Sequence, residues 1–445
     1  MDSQQYQLRE VSNKKKRVCV VGAGAAGLCA ARHLAANPNE FEFIVFERLL
    51  EVGGTWIYNE KTGFDNDGYP VHSSMYRDLR TNLPKEVMNF PDYRKIKGND
   101  ESCVSHQAIL DYLKDYAEHF YLYRSIRFGT IVELIELLES NDTSAPEQWK
   151  VRIKNIESGK IEVLIYDAVM DCHGIFFDPY IPEISGLSSF QGQVMHSHSY
   201  RKPETFTGKT VILLGASSSG VDIAFELSKI ANKLYLSHNH DRLNIEPMLG
   251  IVQVQGIDRF EAGVFLLRDG SNVTGVDTII FCTGYQYSYP FLSELCGIRV
   301  TDNQVTPLYQ HMINVEHPSM CLIGVPRLVT PLPLFHMQVQ YFLNLLMGRF
   351  SLPAKKEMLL KNQLLPTVAG RRHAHSLAEA QWEYYDGLAQ EGRFNPLPQF
   401  YKLGYDAWRE LRQTRLADYK RFILRVESDD RTIHIDQPSE LIINT

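Results

Sequence analysis

The fold of this chain is decided by the stretch RVCVVGAGAAG, residues 17–27. Its first half is a nearly continuous apolar run, which is typical of a strand buried on both faces of a parallel sheet. Gly22 permits a tight turn, Gly24 lets the backbone approach a pyrophosphate, and Gly27 lets the next helix pack closely. We therefore predict a dinucleotide-binding unit whose phosphates lie at the start of a helix over residues 28–36.

A second strand follows this helix and ends in an acidic residue. It is the apolar run FEFIVF, residues 41–46, and it is followed directly by Glu47, 20 residues after Gly27. An acid at this position accepts the ribose hydroxyls of an adenine dinucleotide. Strand, glycines, helix, strand and acid thus occur in the order that such a site requires.

The same pattern recurs later with one departure. The apolar strand TVILL, residues 210–214, leads into GASSSG, residues 215–220, which opens a predicted helix to about residue 229. Ser217 stands where the second glycine is usual, and its small side chain still permits a close approach of phosphate. We predict a second nucleotide site here.

The strand after this second loop has no acid at its tip. Residues 234–236 are followed by Ser237, His238, Asn239 and His240. A missing carboxylate removes the repulsion that would exclude a 2′-phosphate, and histidines followed by Arg242 would attract one, although Asp241 opposes them. This tip therefore favours NADPH over NADH.

Two later segments resemble each other and indicate nested units. DAVMDCHG, residues 167–174, is similar to DTIIFCTG, residues 277–284, and each follows a short β-meander. Two unrelated buried strands are the alternative. We predict an α/β fold with two nested Rossmann-like domains, in which an NADPH-binding domain (206–316) is inserted between two parts of an FAD-binding domain (1–205 and 317–445, the latter with C-terminal helices).

Composition and charge exclude several other classes of protein. Of 445 residues, 44% are apolar and 22% are charged, as in soluble globular proteins, and the formal charge of −7 gives no reason to expect nucleic acid as a partner. Seven cysteines are scattered without a C-x-x-C spacing, which argues against a disulfide framework, a zinc site or an iron–sulfur site. We therefore expect no metal.

Neither end of the chain has the sequence pattern of a signal peptide or a membrane anchor. The first residues are polar, the last seven are too few for an anchor, and prolines and polar residues interrupt the apolar stretch 329–347. We expect no membrane span and a cytoplasmic protein. The alternative is a secreted protein from which a leader has been removed.

Four motifs carry a resemblance to a known family. FQGQVMHSHSYR, residues 190–201, matches the pattern F-x-G-x-x-x-H-x-x-x-(Y/F)-(K/R), and GGTW (53–56), TNLPKEVM (81–88) and CTGY (282–285) match further family motifs. The chain resembles the class B flavin-dependent monooxygenases. Because Tyr200 replaces the Trp of the Baeyer–Villiger branch, it is most similar to the flavin-containing monooxygenases. The linker segment resembles insect members, which include the pyrrolizidine-alkaloid (senecionine) N-oxygenases.

The resemblance implies a reaction and its cofactors. NADPH would reduce FAD, dioxygen would add at the flavin C4a carbon, and the hydroperoxide would give one oxygen atom to a soft nucleophile. The expected reaction is N-oxygenation of a tertiary amine or alkaloid, such as a pyrrolizidine alkaloid, or S-oxygenation. A Baeyer–Villiger or N-hydroxylating monooxygenase and an NADPH-dependent flavin reductase are alternatives. A small-molecule substrate and dioxygen are the expected partners, and a homo-oligomer is left open.

A disulfide reductase of the same fold would need a cysteine pair soon after the flavin strand, and none lies between Glu47 and Cys103. A flavin oxidase would not need the second nucleotide loop. A redox sensor without enzymatic activity is the remaining class, and steady NADPH consumption without a dithiol acceptor would separate an enzyme from it.

Position in these motifs gives the expected site residues. Those expected to bind cofactors are Gly22, Gly24, Ala25, Ala26, Gly27, Glu47, Gly54, Thr55, Trp56, Asn82, Ser105, His106, Gly215, Ala216, Ser217, Ser218, Ser219, Gly220, Ser237, His238, Thr283, Gly284 and Gln338. By resemblance, Asn82 lies beside the flavin ring and NADP⁺ and is the catalytic residue; otherwise it is a loop residue. Ser105 is alternatively a plain helix N-cap, and Gln338 a polar position on a core helix. His196 and Tyr200 are expected to tie the interdomain linker.

Overall fold

The structure, a computed structural model, describes residues 14–97, 101–139, 146–364 and 373–437, with the side chains of residues 362–364 left aside. In these ranges no helix is both long and apolar enough to cross a membrane. The expectations about a leader and a C-terminal anchor concern residues outside the described ranges, and the cytoplasmic location stays a prediction.

Seven α-helices and 22 β-strands form the described part of the chain. The helices are α1 (Ala25–Ala35), α2 (His106–His119), α3 (Ser218–Leu227), α4 (Pro331–Leu346), α5 (Lys355–Leu364), α6 (Gln381–Gly392) and α7 (Phe400–Thr414). The strands are β1 (Lys16–Val21), β2 (Phe41–Phe46), β3 (Ile126–Arg127), β4 (Thr130–Leu137), β5 (Trp149–Asn155), β6 (Ile161–Tyr166), β7 (Ala168–Asp171), β8 (Gln193–His196), β9 (Thr210–Leu214), β10 (Lys233–Ser237), β11 (Ile251–Val254), β12 (Ile257–Glu261), β13 (Val264–Leu267), β14 (Asn272–Thr274), β15 (Thr278–Phe281), β16 (Arg299–Thr301), β17 (Gln304–Thr306), β18 (Leu308–Tyr309), β19 (Ile313–Asn314), β20 (Met320–Leu322), β21 (Ile423–Val426) and β22 (Ile433–Asp436).

The first unit is built on a seven-stranded sheet in the order β18-β19-β20-β7-β1-β2-β3. Strand β1 pairs in parallel with β2 and β7, and β20 continues the parallel part beside β7. Helices α1, α2 and α4 pack with it in one large apolar core. The carboxyl ends of these parallel strands meet at one edge, which is where open α/β sheets bind ligands.

The second unit is built on a five-stranded sheet in the order β11-β10-β9-β15-β8, and all its neighbouring strands are parallel. The strands of each sheet do not divide at the domain boundaries expected at residues 206 and 316. Strand β8 precedes residue 206 yet belongs to this sheet, whereas β18 and β19 precede residue 317 yet belong to the first sheet. The linker segment is therefore partly an edge strand of the second unit.

The two units have the same arrangement of strands. The strands β7, β1, β2 and β3 of the first sheet have the same order as β15, β9, β10 and β11 of the second. A three-stranded antiparallel sheet precedes the strand that ends in Cys-x-Gly in each unit, β4-β5-β6 in one and β12-β13-β14 in the other. The predicted nesting of two Rossmann-like units is confirmed, and the interpretation of these segments as unrelated strands is wrong.

The first nucleotide helix differs from its predicted bounds. We expected it over residues 28–36, but α1 begins at Ala25, directly after its N-cap Gly24. The third glycine of the loop therefore lies inside the helix, where it lets the first turn pack against the strand. Helix α3 ends at Leu227, two residues before the predicted end.

Candidate functional site

The first glycine loop forms a cradle that a side chain at Gly24 would fill. Gly22 has a φ of +93°, and a Cβ atom there would lie 2.9 Å from the Cys172 carbonyl oxygen. A Cβ atom at Gly27 would lie 1.8 Å from the Gly22 carbonyl oxygen. These two glycines are required by packing within the protein. Gly24 has an ordinary φ of −73°, and its Cβ atom would meet only Gly54 at 3.5 Å.

The space at Gly24 therefore fits the pyrophosphate of FAD. The N–H groups at the start of α1 border this space, and Ala25 and Ala26 form the first turn of the helix behind it. Backbone N–H groups and the helix dipole at such an end favour a bound phosphate. The glycine-loop residues predicted from the sequence thus lie together at one helix end.

The GGTW segment forms the second wall of this cradle. The Gly53 N–H donates to the Ala23 carbonyl oxygen at 3.1 Å. Gly54 has a φ of +56°, and a Cβ atom there would lie 2.9 Å from the Gly24 Cα atom. Thr55 and Trp56 complete a short 3₁₀ helix that follows. The two glycine segments are therefore in close contact, as a shared phosphate site would require.

Glu47 lies at the carboxyl end of β2, as predicted. Its Oε2 atom accepts from the Ala23 N–H at 2.6 Å, and its Oε1 atom accepts from the Leu49 N–H at 2.8 Å. Burial raises the pKa of the Glu47 carboxyl. A cavity of about 510 Å³ adjoins this tip and is lined by Arg48, Leu49, Leu50, Glu51, Ile57, Tyr58, Asn59, Asp65, Val71, His72 and Ser73.

The second glycine loop repeats the geometry of the first. Gly215 has a φ of +110°, and a Cβ atom there would lie 2.5 Å from the Cys282 carbonyl oxygen. A Cβ atom at Gly220 would lie 1.9 Å from the Gly215 carbonyl oxygen. Ser217 is the N-cap of α3, with a φ of −84° close to that of Gly24. Its backbone conformation thus suits a non-glycine residue. Ala216 precedes this N-cap, and Ser218 and Ser219 form the first turn of α3.

The side chains at the tip of β10 have hydrogen-bond partners within the protein. The Ser237 hydroxyl donates to the Gln255 carbonyl oxygen at 2.9 Å, and the Nε2 atom of His238 lies 3.2 Å from the Gln253 side-chain oxygen. Both side chains are buried. Their roles at the nucleotide stay predictions. His240 and Arg242, which follow at the same tip, are exposed.

The linker residues His196 and Tyr200 are bonded to the second unit, and their expected role in tying the two units together stays a prediction. The Nε2 atom of His196 lies 3.0 Å from the Gly284 carbonyl oxygen. Tyr200 is fully buried, and its hydroxyl donates to the Oε2 atom of Glu226 on α3 at 2.6 Å. Burial raises the pKa of Glu226 to about 7.

The Thr283 hydroxyl donates to the Tyr180 carbonyl oxygen, and the Tyr180 N–H donates to the Gly284 carbonyl oxygen at 2.9 Å. Thr283 and Gly284 therefore lie just after β15, where the chain leaves the second unit and returns towards the first. Their predicted contact with a cofactor is a proposal that rests on this position.

Asn82 lies in the loop before Pro84 and contacts a residue that the sequence did not indicate. The hydroxyl of Tyr419 donates to the Asn82 Oδ1 atom at 3.1 Å. The next residue, Lys420, places its Nζ atom 2.7 Å from the Asp222 Oδ2 atom on α3. A short C-terminal segment, Tyr419–Arg421, therefore joins the Asn82 loop to the second unit. No sequence signal links Asn82 to Tyr419, because 337 positions separate them.

Ser105, His106 and Gln338 have structural partners. Ser105 is the N-cap of α2, and its side chain accepts from the Ala108 N–H at 3.3 Å. The Nε2 atom of His106 lies 3.2 Å from the carbonyl oxygen of Arg77. These are the contacts of a helix start, and the flavin contacts of both residues stay predictions.

Gln338 lies in the middle of α4. It is fully buried, its Oε1 atom accepts from the Gly324 N–H at 2.8 Å, and its Nε2 atom donates to the Tyr384 hydroxyl at 2.9 Å. Both ends of the carboxamide are thus bonded inside the core, as a polar core position requires. Its role at the flavin stays a prediction.

The cysteines provide no redox pair. All seven lie in described parts of the chain, and all are free and buried. The disulfide-reductase alternative therefore lacks the dithiol that it needs.

Comparisons with known proteins agree with this geometry. The chain matches the family model described as flavin-binding monooxygenase-like over residues 15–245 and 239–390. It is 36% identical over 397 residues to the flavin-containing monooxygenase FMO GS-OX4 of Arabidopsis thaliana, with 84% of each chain covered. It is 30% identical over 437 residues to the senecionine N-oxygenase of Tyria jacobaeae, with 94% of this chain and 91% of that protein covered.

Among solved structures, the S-allyl-L-cysteine S-oxygenase from Allium sativum superimposes with a TM-score of 0.83 at 32% identity, over 92% of this chain and 95% of that one. The cradles at Gly24 and Ser217 and these likenesses together identify FAD and NADPH as the cofactors.

Proposed function

The chain belongs to the flavin-binding monooxygenase-like family, and from this premise we propose that it N-oxygenates a tertiary amine of the plant-alkaloid class, a pyrrolizidine alkaloid being one candidate. The general activity, flavin-dependent monooxygenation, follows from the family. The observation that carries the finer proposal is the likeness to senecionine N-oxygenase, which covers 94% of this chain.

The chain's own residues bind and orient the cofactors. Bound FAD and NADPH supply the hydride transfer and the activation of dioxygen. Gly24 and Gly54 leave room for the FAD pyrophosphate, and Glu47 accepts the ribose hydroxyls. Ser217, at the start of α3, lies where the NADPH pyrophosphate would bind. Asn82 has a donor group left for a cofactor because its oxygen atom already accepts from Tyr419.

S-oxygenation of a thioether is the second candidate. The likeness to the Allium sativum enzyme, whose name states S-oxygenation, favours it. Both reactions transfer oxygen to a soft lone pair, so the two candidates share every cofactor contact described above. They differ in the substrate pocket alone.

A substrate panel tests the proposal. We expect a pyrrolizidine alkaloid to give its N-oxide with kcat/KM at least about tenfold above that of a thioether, a difference of about 1.4 kcal/mol in transition-state binding. NADPH consumption is measured with the alkaloid, a simple trialkylamine, a thioether and a cyclic ketone. Products formed under ¹⁸O₂ are identified by mass.

Each alternative has its own outcome in this panel. Preference for the thioether would overturn N-oxygenation and support the second candidate. Lactone formation from the ketone without amine turnover would move the protein to Baeyer–Villiger chemistry. NADPH consumption without any labelled product would indicate a flavin reductase.

Replacing Arg242 with alanine tests the preference for NADPH over NADH, which we also propose. The exposed guanidinium lies beyond the tip of β10, and no acid immediately follows this strand. We expect KM for NADPH to rise about tenfold, since a charged contact to the 2′-phosphate is lost, while KM for NADH changes by less than about twofold.

Arg268→Ala, which removes an exposed charge on the β13–β14 hairpin, is the matched control and should change neither constant. Equal rises for the two coenzymes in Arg242→Ala would show that the guanidinium does not recognise the 2′-phosphate.

A further inference from the structure

The first nucleotide helix carries a cysteine and a histidine one turn apart. Cys29 and His33 are four positions apart on α1, so their side chains lie on one face of the helix. Helix α4 packs against α1 and contributes His336. The Cys29 Sγ atom and one ring nitrogen of each histidine all lie within 4.8 Å of one another. Thiolate and imidazole groups are the usual ligands of transition metals.

An acidic side chain adjoins this cluster. The Oδ1 atom of Asp92 lies 3.9 Å from the His336 Nδ1 atom, and its Oδ2 atom lies 3.3 Å from the Arg32 Nε atom. Arg32 thus pairs with one carboxylate oxygen while the other lies near the histidines. Outer partners of this kind orient the ligands in metal sites.

The structure assigns a zinc site to three side chains that α1 and α4 bring together, Cys29, His33 and His336, with Asp92 as an outer partner. One thiolate and two imidazoles are ligands of the zinc class, and the Asp92 carboxylate adds a second negative charge beside the ion. The site would join the helix that holds the FAD phosphates to α4. It is separate from the dinucleotide sites described above.

The two ring nitrogens lie close enough together to share one ion. Bonds of about 2.0–2.3 Å place donor atoms roughly 3.3–3.6 Å apart. The His33 Nε2 and His336 Nδ1 atoms are 3.1 Å apart, with ring centroids at 4.8 Å and planes at 62°. Without metal the two imidazoles share a hydrogen bond. The Sγ atom of Cys29, which lies within 4.8 Å of both ring nitrogens, would move closer to reach the same ion.

The cluster is almost closed to solvent. Cys29 is fully buried, and the side chain of His336 is 12% exposed, which leaves a narrow entry. Zinc binding would release the thiol proton to solvent.

The cysteine spacing in the sequence argued against a metal site because it was compared with C-x-x-C patterns. The informative spacing is C-x-x-x-H within one helix, which here is Cys29 and His33. The other histidine, His336, lies 303 positions after His33. The alternative to a zinc site is a metal-free cluster, in which the two histidines share a hydrogen bond and the thiol of Cys29 lies beside them.

Metal analysis of the holoenzyme tests the proposal. Chelator-treated protein is incubated with Zn²⁺, passed through gel filtration and analysed for zinc and FAD. We expect about one zinc per chain and a rise of a few degrees in the thermal midpoint. Cys29→Ala and His336→Leu should bind zinc more than about tenfold more weakly and lose this rise. Cys321→Ala, a buried cysteine of β20 outside the cluster, should behave as the wild type.

Cobalt(II) gives a spectroscopic readout of the thiolate ligand itself. In the wild type it should produce a thiolate-to-cobalt absorption band, and Cys29→Ser, checked for normal FAD content, should lack this band. Wild-type protein that keeps less than about a tenth of a zinc per chain in zinc excess would overturn the site. Full zinc binding by Cys29→Ala would overturn it as well.

Discussion

Replacing Gly24 with valine is expected to give a colourless protein that is folded but has lost FAD. A Cβ atom at this position would meet only the Gly54 backbone, at an ordinary contact distance of 3.5 Å, and Gly24 has no positive φ that a side chain would strain. The valine methyl groups would occupy the phosphate cradle instead. We expect FAD affinity to fall at least about a hundredfold, equivalent to about 2.7 kcal/mol.

The measurement is the flavin content of the purified protein, with circular dichroism as the check on folding. Gly387→Val is the matched control, because a Cβ atom at Gly387 in α6 has no neighbour within 4 Å, and it should keep its flavin. A Gly24→Val variant with full flavin content would mean that the phosphates lie elsewhere. Gly27→Val is not informative, since its Cβ atom would strike the Gly22 backbone and unfold the loop.

Replacing Asn82 with leucine is expected to separate NADPH consumption from substrate oxygenation. The two side chains are similar in size, so the loop before Pro84 should keep its shape. The carboxamide, held by the Tyr419 hydroxyl, is lost as a hydrogen-bond partner for the cofactors. Such a bond in a dry site is worth roughly 1–3 kcal/mol, so product formation should fall about tenfold to a hundredfold.

Hydrogen peroxide released per NADPH, compared with product formed, is the decisive ratio. We expect this ratio to rise in Asn82→Leu with FAD content unchanged. It should rise less in Tyr419→Phe, which keeps the carboxamide but frees it to rotate. Asn232→Leu, at an exposed turn position, should show the wild-type ratio. An unchanged ratio in Asn82→Leu would leave Asn82 as a loop residue.

The nucleotide loops and their strands could be predicted from the sequence because local physics determines them. Strand β2 has the predicted bounds, and Glu47 follows it as expected. The first glycine of each loop has a positive φ, and the last glycine packs against the first. Each of these requirements acts within a few residues, so each leaves a pattern that is readable in order along the chain.

Other parts of the site depend on contacts between distant residues. The segment that forms β8 is too short and polar to indicate an edge strand, so the second unit was predicted to begin too late. Tyr419 reaches Asn82, and His336 reaches His33, only after helices have packed. The buried partners of Ser237 and His238 likewise come from the neighbouring strand and the loop that follows it, and no local pattern in the sequence indicates them.

The bridge between Lys420 and Asp222 has a consequence for how the two units could move. Any rotation of the second unit about its two linkers must separate this ion pair, whose side chains are only 18% and 13% exposed. The partly buried pair would then gain water, and the Tyr419–Asn82 hydrogen bond on the same short segment would lose its support. Rotation of the second unit for coenzyme exchange would therefore be coupled to the loss of an ordered Asn82 side chain. Because burial weakens the screening of the ion pair, added salt would change the equilibrium of this rotation only slightly.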